Sequence, residues 1–270
     1  MKTIRTAMVD KHELRIVLKN DIHVGLIFGP DKTRLAMIEG LSADEVWQIL
    51  LNKLAQSSPR YFGFDGAITH FQKFFPNGFK DAAFLDKERN YKEGALKLLG
   101  DALPLAQALE SQDMGEKVLR VFQRTNLLSP FEKTRLQELL RGKSADAFIR
   151  AAAGFAQGDR SMLGVLERIL KPHDCAKWTI VTYLPFLWCP KAHMFLKPEV
   201  TKDFAERVGH RFAHDYSPRL ETGVYDSLLD LARQTDAALA PLAPQDWIDI
   251  QSFIWVVGDY QAPADLPRPV

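Results

Sequence analysis

The chain has 270 residues, of which 46% are hydrophobic and 26% charged, and a formal net charge of +1. This supports a buried core and excludes wholesale disorder, a strongly basic nucleic-acid coat and an acidic tail protein, while leaving local charged patches open. Two cysteines, Cys175 and Cys189, are too few for a disulfide framework and form no CxxC pair, so they read as reduced thiols.

The first forty residues read as strands. Glu13–Leu18 alternates polar and apolar, Lys19-Asn20-Asp21 supplies a turn, and Ile22–Phe28 is a second run. Gly29-Pro30-Asp31 turns again before a third run from Thr33 to Ile38. The period then changes. Ser42 and Glu45 are spaced as a capping box, and Val46, Ile49, Leu50 and Leu54 follow at helical spacing. Ser57-Ser58-Pro59 marks a soft boundary.

Beyond it the signals are helical. Phe71, Phe74 and Phe75 form an aromatic stripe ended by Pro76-Asn77-Gly78. Asp81 to Leu99 is a long helix with Phe84, Tyr91, Ala95 and Leu98 inward, closed by Gly100. Met114 to Gln123 is another. Ser129-Pro130-Phe131-Glu132 is a capping box with proline at the first helical position, where no N–H is needed, and Ser144 is placed to cap the next helix. Met162 to Leu170 follows. Trp178 to Trp188 mixes β-branched residues with helical spacing and reads as a fully buried helix kinked near Pro185. Further helices start at Thr201, stopped by Gly209, and span Gly223 to Leu239; Pro244 opens the last one. The tail from Gln261 holds three prolines and reads as frayed.

The fold expectation is therefore α+β, predominantly α: a small N-terminal antiparallel meander plus helix over residues 1–58, packed on a multi-helix body over 59–270. No apolar run has the length of a signal peptide or a membrane span, so the expected setting is cytoplasmic with no membrane partner.

No glycine-rich phosphate loop, zinc-protease motif, nucleophile elbow or calcium-binding loop occurs in the sequence. His210 and His214 are four apart, but Gly209 breaks the helix that would align them, so no metal site and no cofactor are expected. His173, Asp174 and Cys175 are adjacent, yet a catalytic thiol needs tertiary placement that adjacency does not supply.

Two aromatic–basic clusters stand out. In the proline-bounded segment Pro190–Pro198, Lys191, His193 and Lys197 are interleaved with Met194, Phe195 and Leu196, with Lys177 before and Lys202 after. Phosphate contacts need lysine or arginine, and unstacked bases need aromatic faces. The competing reading anchors the three apolar residues in the core and leaves the lysines solvated. In the second cluster, Arg89 and Lys92 are three apart and share a helix face, while Glu88 and Glu93 are placed to pair with neighbouring bases. Charge is also uneven. Lys171–Arg219 holds eight Lys/Arg against five Asp/Glu, whereas Leu220–Val270 holds two against eight. Such asymmetry marks either a basic face beside an acidic one or two helices that pair.

The runs Gly63–Ala67, Phe74–Phe79, Glu88–Lys92, Arg124–Leu128, His193–Pro198 and Trp247–Trp255 resemble those of a family of uncharacterised bacterial proteins. The resemblance covers most of the chain from Arg60 onward. It implies a bacterial origin and one long helical body, and it carries no activity. From the residues themselves, the reading that names a site is a non-catalytic nucleic-acid- or polyanion-binding accessory protein using Lys177, Lys191, His193, Lys197, Lys202, Arg89 and Lys92. A helical adaptor for a protein partner and an enzyme with an unrecognised site are the alternatives.

Overall fold

The computed structural model describes residues 2–9 and 11–260, and the proline-containing tail from Gln261 lies outside them. The chain is α+β with helix dominant. Its described residues divide into two compact units, one up to Ala67 together with Ala205–Asp215, the other Ile68–Phe204 and the described residues from Tyr216 onward. The soft boundary at Ser57-Ser58-Pro59 falls inside the first unit.

In the first unit β1 (Lys2–Val9), β2 (His12–Lys19), β3 (Ile22–Phe28) and β4 (Arg34–Gly40) form an antiparallel meander in the order β1-β2-β3-β4. This is one strand more than the three apolar runs suggest. β1 is an edge strand with mostly exposed side chains, so it is held by backbone pairing and leaves little alternation to read. Between β2 and β3, Asn20 and Asp21 both take positive φ, 50° and 62°. That is the left-handed pair a two-residue hairpin requires to match strand twist.

The register Leu14↔Ile27 and Ile16↔Gly25 collects Leu14, Ile16 and Ile27 on one face. Helix α1 (Ala43–Ala55) covers that face with Val46, Trp47, Leu50 and Leu54. Gly25 permits the close approach, because a Cβ there would lie 2.5 Å from Val46 Cγ1. Ser42 caps α1 by accepting the Glu45 N–H. The opposite face keeps Met8, Leu35 and Met37 more than half exposed. Ala205–Asp215 joins this unit through the backbone: Asn52 Oδ1 accepts the Arg211 N–H at 2.7 Å, and the Phe62 N–H donates to the Arg207 carbonyl at 2.9 Å. Gly209, at φ 70°, ends the preceding helix as its position in the sequence suggests.

The other α-helical elements of the described residues are α2 (Gly63–Phe74), α3, α4 (Gly115–Gln123), α5 (Pro130–Arg141), α6 (Ala145–Ala156), α7 (Met162–Leu170), α8 (Trp178–Val181), α9 (Tyr183–Trp188), α10 (Pro198–Val208), α11 (Thr222–Ala238) and α12 (Trp247–Asp259), with single turns at Leu105–Ala108 and Phe212–Asp215. Helix α3 is continuous over residues 82–102: a turn at Ala82–Phe84 widens into a π-helical stretch, Leu85–Arg89, and returns to α-helix over Asn90–Ala102. It runs past Gly100, which does not close it. Phe71, Phe75, Phe79, Phe84 and Phe253 pack ring on ring to form an aromatic core.

The apolar stretch from Trp178 is buried and helical, but it breaks at Thr182, between α8 and α9, rather than merely kinking. Pro185 has no N–H to donate back to Val181, so the helix ladder is interrupted one turn before the proline. Thr182 Oγ1 uses the break: it donates to the Trp178 carbonyl at 2.6 Å and accepts the Leu196 N–H at 3.0 Å.

Candidate functional site

Arg89 and Lys92 do share a helix face, and it is the buried one. Positions 84, 88, 89, 92, 95 and 99 of α3 face inward, so Glu88, Arg89 and Lys92 enter the core between Phe84 and Ala95. Their partners come from α12 and the residue that caps it. Arg89 forms a two-pronged pair with Asp246 at 3.0 and 3.1 Å and donates to Asp249 at 2.7 Å. Lys92 Nζ donates to Ser252 Oγ at 2.7 Å and to Glu88 Oε2 at 3.4 Å, while the Tyr260 hydroxyl donates to Glu88 Oε1 at 2.7 Å. Glu93, more exposed, lies 3.7 Å from Arg89.

These contacts set the charges. Burial works against the Arg89 guanidinium, but Asp246 and Asp249 more than offset it and hold it protonated. Lys92 is fully buried, and burial pulls its pKa down to about 8 although Glu88 opposes the shift. A buried charge persists only where it is paired and hydrogen-bonded, and both cations meet that condition. Asp246 and Asp249 of the acidic C-terminal segment thus pair with α3.

The Pro190–Pro198 segment divides by residue. Met194, Phe195 and Leu196 are at most 1% exposed and anchor it in the core. His193 is also buried. Its Nε2 donates to the Ala156 carbonyl at 2.9 Å, and its Nδ1 accepts from the Tyr225 hydroxyl at 2.8 Å. Burial holds this imidazole below the ordinary histidine range, so it is neutral. His193, Arg89 and Lys92, grouped by the sequence among surface cations, are interior side chains with internal partners. Lys191 is exposed and lines neither of the two cavities described next.

Of the other three lysines, Lys177 and Lys197 line one cavity, and Lys202 stands beside it over the ring of Tyr216. A cavity of about 640 Å³ is lined by Lys177, Lys197, Trp178, Tyr216 and Trp255, with Glu132, Thr179, Glu199 and Asp259 also in its wall. Lys202 stands over the Tyr216 ring at 5.4 Å and lies 3.8 Å from exposed Glu199. Lys177 stands over the ring of Phe131, a side chain 53% exposed. Lys197 donates to the Leu127 carbonyl at 3.2 Å. Burial opposes ionisation of Glu132, but hydrogen bonds from Thr179 and Ser129 prevail and hold its carboxyl below the usual range. A second cavity, about 60 Å³, is lined by Glu88, Tyr91, Lys92, Asn126, Phe195 and Gln251 and shares Lys197 and Trp255 with the first.

The aromatic walls and the acidic partners were not singled out in the sequence. One signal was available for the latter: Asp246, Asp249 and Ser252 recur every three residues from the cap into a mostly apolar helix. Elsewhere, His210 is buried and its Nδ1 accepts the Phe212 N–H at 3.1 Å. Among the described residues no group of three or more His, Cys, Asp or Glu is placed to hold a metal ion. Both cysteines are free thiols, and burial pushes Cys175 up to about 11, far from an activated nucleophile. No helix among the described residues is long and apolar enough to cross a membrane. Comparison with known proteins finds no protein family, no curated protein and no solved structure that matches this chain.

Proposed function

We propose that the helical unit binds single-stranded nucleic acid and takes one unstacked nucleotide into the large cavity. The observation that carries this reading is a single cavity lined by Lys177 and Lys197 together with Trp178, Tyr216 and Trp255, with Lys202 beside it over the Tyr216 ring. Cations beside aromatic faces are what a sugar–phosphate backbone and its bases require. A cavity of about 640 Å³ also falls within the ordinary range for small-molecule sites. The carboxylates in the wall fit the same ligand, since exocyclic amino groups of bases donate hydrogen bonds to Glu and Asp.

The test is fluorescence anisotropy with labelled single-stranded DNA and RNA over a range of salt. Binding at low salt is expected, stronger for single strands than for duplex, and weakened in Lys177→Ala/Lys202→Ala with an unchanged melting temperature. No binding by the wild type at low salt would overturn the reading. Equal binding by the double variant would remove this cavity from it.

A further inference from the structure

An antiparallel sheet covered on one side only alternates apolar residues toward the cover and polar residues toward water. The sheet of the first unit departs from that pattern. Its β2–β3 register pairs Val17 with Val24, Arg15 with Leu26, Glu13 with Phe28 and Lys19 with Ile22, all on the face away from α1. The four outward residues of β3 are therefore all apolar, as in a strand covered on both sides. Met8, opposite Glu13, and Met37, opposite Leu26, extend this face across β1 and β4 and are more than half exposed. Single exposed apolar side chains are ordinary, but a contiguous apolar layer marks an interaction surface. Its charges are of both signs. Glu13 and Lys19 stand at opposite ends of β2, and Arg15 between them pairs with Glu13. A face of one sign would suit an oppositely charged partner, whereas this one is complementary to a copy of itself.

We propose that this sheet face is the interface of a homodimer, in which a second copy of the chain packs on it sheet to sheet. The two-fold axis runs across the strands, over the paired residues Ile16 and Gly25. Each β2 then lies antiparallel over β2 of the second copy. Glu13 faces Lys19 of the second copy, Phe28 packs on its Ile22 and Leu26 on its Val24, and each contact occurs twice, as two-fold symmetry requires. Sheets packed in this way lie about 10 Å apart, which lets these side chains interdigitate. The area is sufficient. Four strands of seven or eight residues, about 4.8 Å apart and rising about 3.3 Å per residue, give the face a footprint of roughly 450 Å². Two such faces bury about 900 Å² in projection and more as accessible surface, which reaches the ~1,000 Å² that a specific interface needs.

The test is sedimentation velocity of the full chain across the micromolar concentration range, where a reversible dimer is expected. Met8→Glu/Met37→Glu puts unpaired charge into the interface at side chains that the monomer leaves exposed. It should raise the dimer dissociation constant at least about a hundredfold, with the melting temperature of dilute, monomeric protein unchanged. Lys19→Glu sets a carboxylate against Glu13 of the second copy and should also weaken the dimer. Glu13→Lys/Lys19→Glu reverses the pair and should restore it, a repair that loss of folding could not produce. A wild type that stays monomeric throughout leaves the face to a different partner and overturns the proposal. A dimer that Met8→Glu/Met37→Glu leaves intact is joined elsewhere, such as through the open edges of β1 and β4, and overturns it as well.

Discussion

At the scale of single residues, the core of the helical unit depends on charges that cannot be removed one at a time. Among the described residues Arg89 is the one cation paired with Asp249, which is fully buried, and it also holds Asp246. Arg89→Met keeps much of the volume but leaves those carboxylates without a countercharge. It should destabilise by about 3–5 kcal/mol, read as a lower urea midpoint. A loss under about 1 kcal/mol would mean the pair is dispensable. His193 makes a different prediction. Its folded pKa lies below the ordinary value of 6.5, so in acid the unfolded chain binds the proton that the folded chain refuses. Stability is therefore lost as pH falls below 6.5 toward the folded value. The wild type should lose melting temperature on acidification more steeply than His193→Gln, and parallel curves would show that His193 does not titrate on unfolding.

At the scale of elements, the start of α5 shows how a local signal acquires a second role. Ser129 Oγ accepts the Glu132 N–H at 3.3 Å, and Glu132 Oε2 accepts the Ser129 N–H at 2.8 Å and its hydroxyl at 2.7 Å. The other carboxylate oxygen accepts from Thr179 Oγ1, so the cap also joins α5 to α8 at the wall of the large cavity. Ser129→Ala should lower stability by about 1 kcal/mol in chemical denaturation, the usual loss for an N-cap. A variant as stable as the wild type would show that the Glu132 side chain alone holds the helix start. Ser144, placed by sequence to do the same for α6, makes no side-chain capping bond. Its φ and ψ of −86° and −5° are already helical, whereas a cap needs the extended backbone that Ser129 has at −65° and 158°.

For the whole molecule, a net charge of +1 gives no general attraction for a polyanion, so any binding must come from a local group of cations. If Lys177, Lys197 and Lys202 each neutralise one phosphate, the logarithm of the single-strand binding constant should fall with the logarithm of salt at a slope of about 2. The Lys177→Ala/Lys202→Ala variant should reduce that slope to about 0.7, one contact remaining. A slope near zero in the wild type would exclude phosphate recognition at this cavity.

The sequence by itself determined what depends on near neighbours along the chain. The Asn20-Asp21 hairpin, the Ser42 and Ser129 caps, the stop at Gly209 and the mostly helical balance follow from backbone hydrogen bonding and torsional preference within a few residues. The same reasoning recognised that Arg89 and Lys92 share a face, and it placed Met194, Phe195 and Leu196 at helix-free but apolar positions. It could not tell which faces meet. Whether Arg89 is solvated or buried was decided by Asp249, 160 residues away in sequence, and whether His193 is a surface base or a neutral core group was decided by Tyr225 and Ala156. The cavities likewise exist only where α3, α8, α10 and α12 come together, because a void and the desolvation of a charge are properties of what lies opposite a residue in space, not of what lies beside it in the chain.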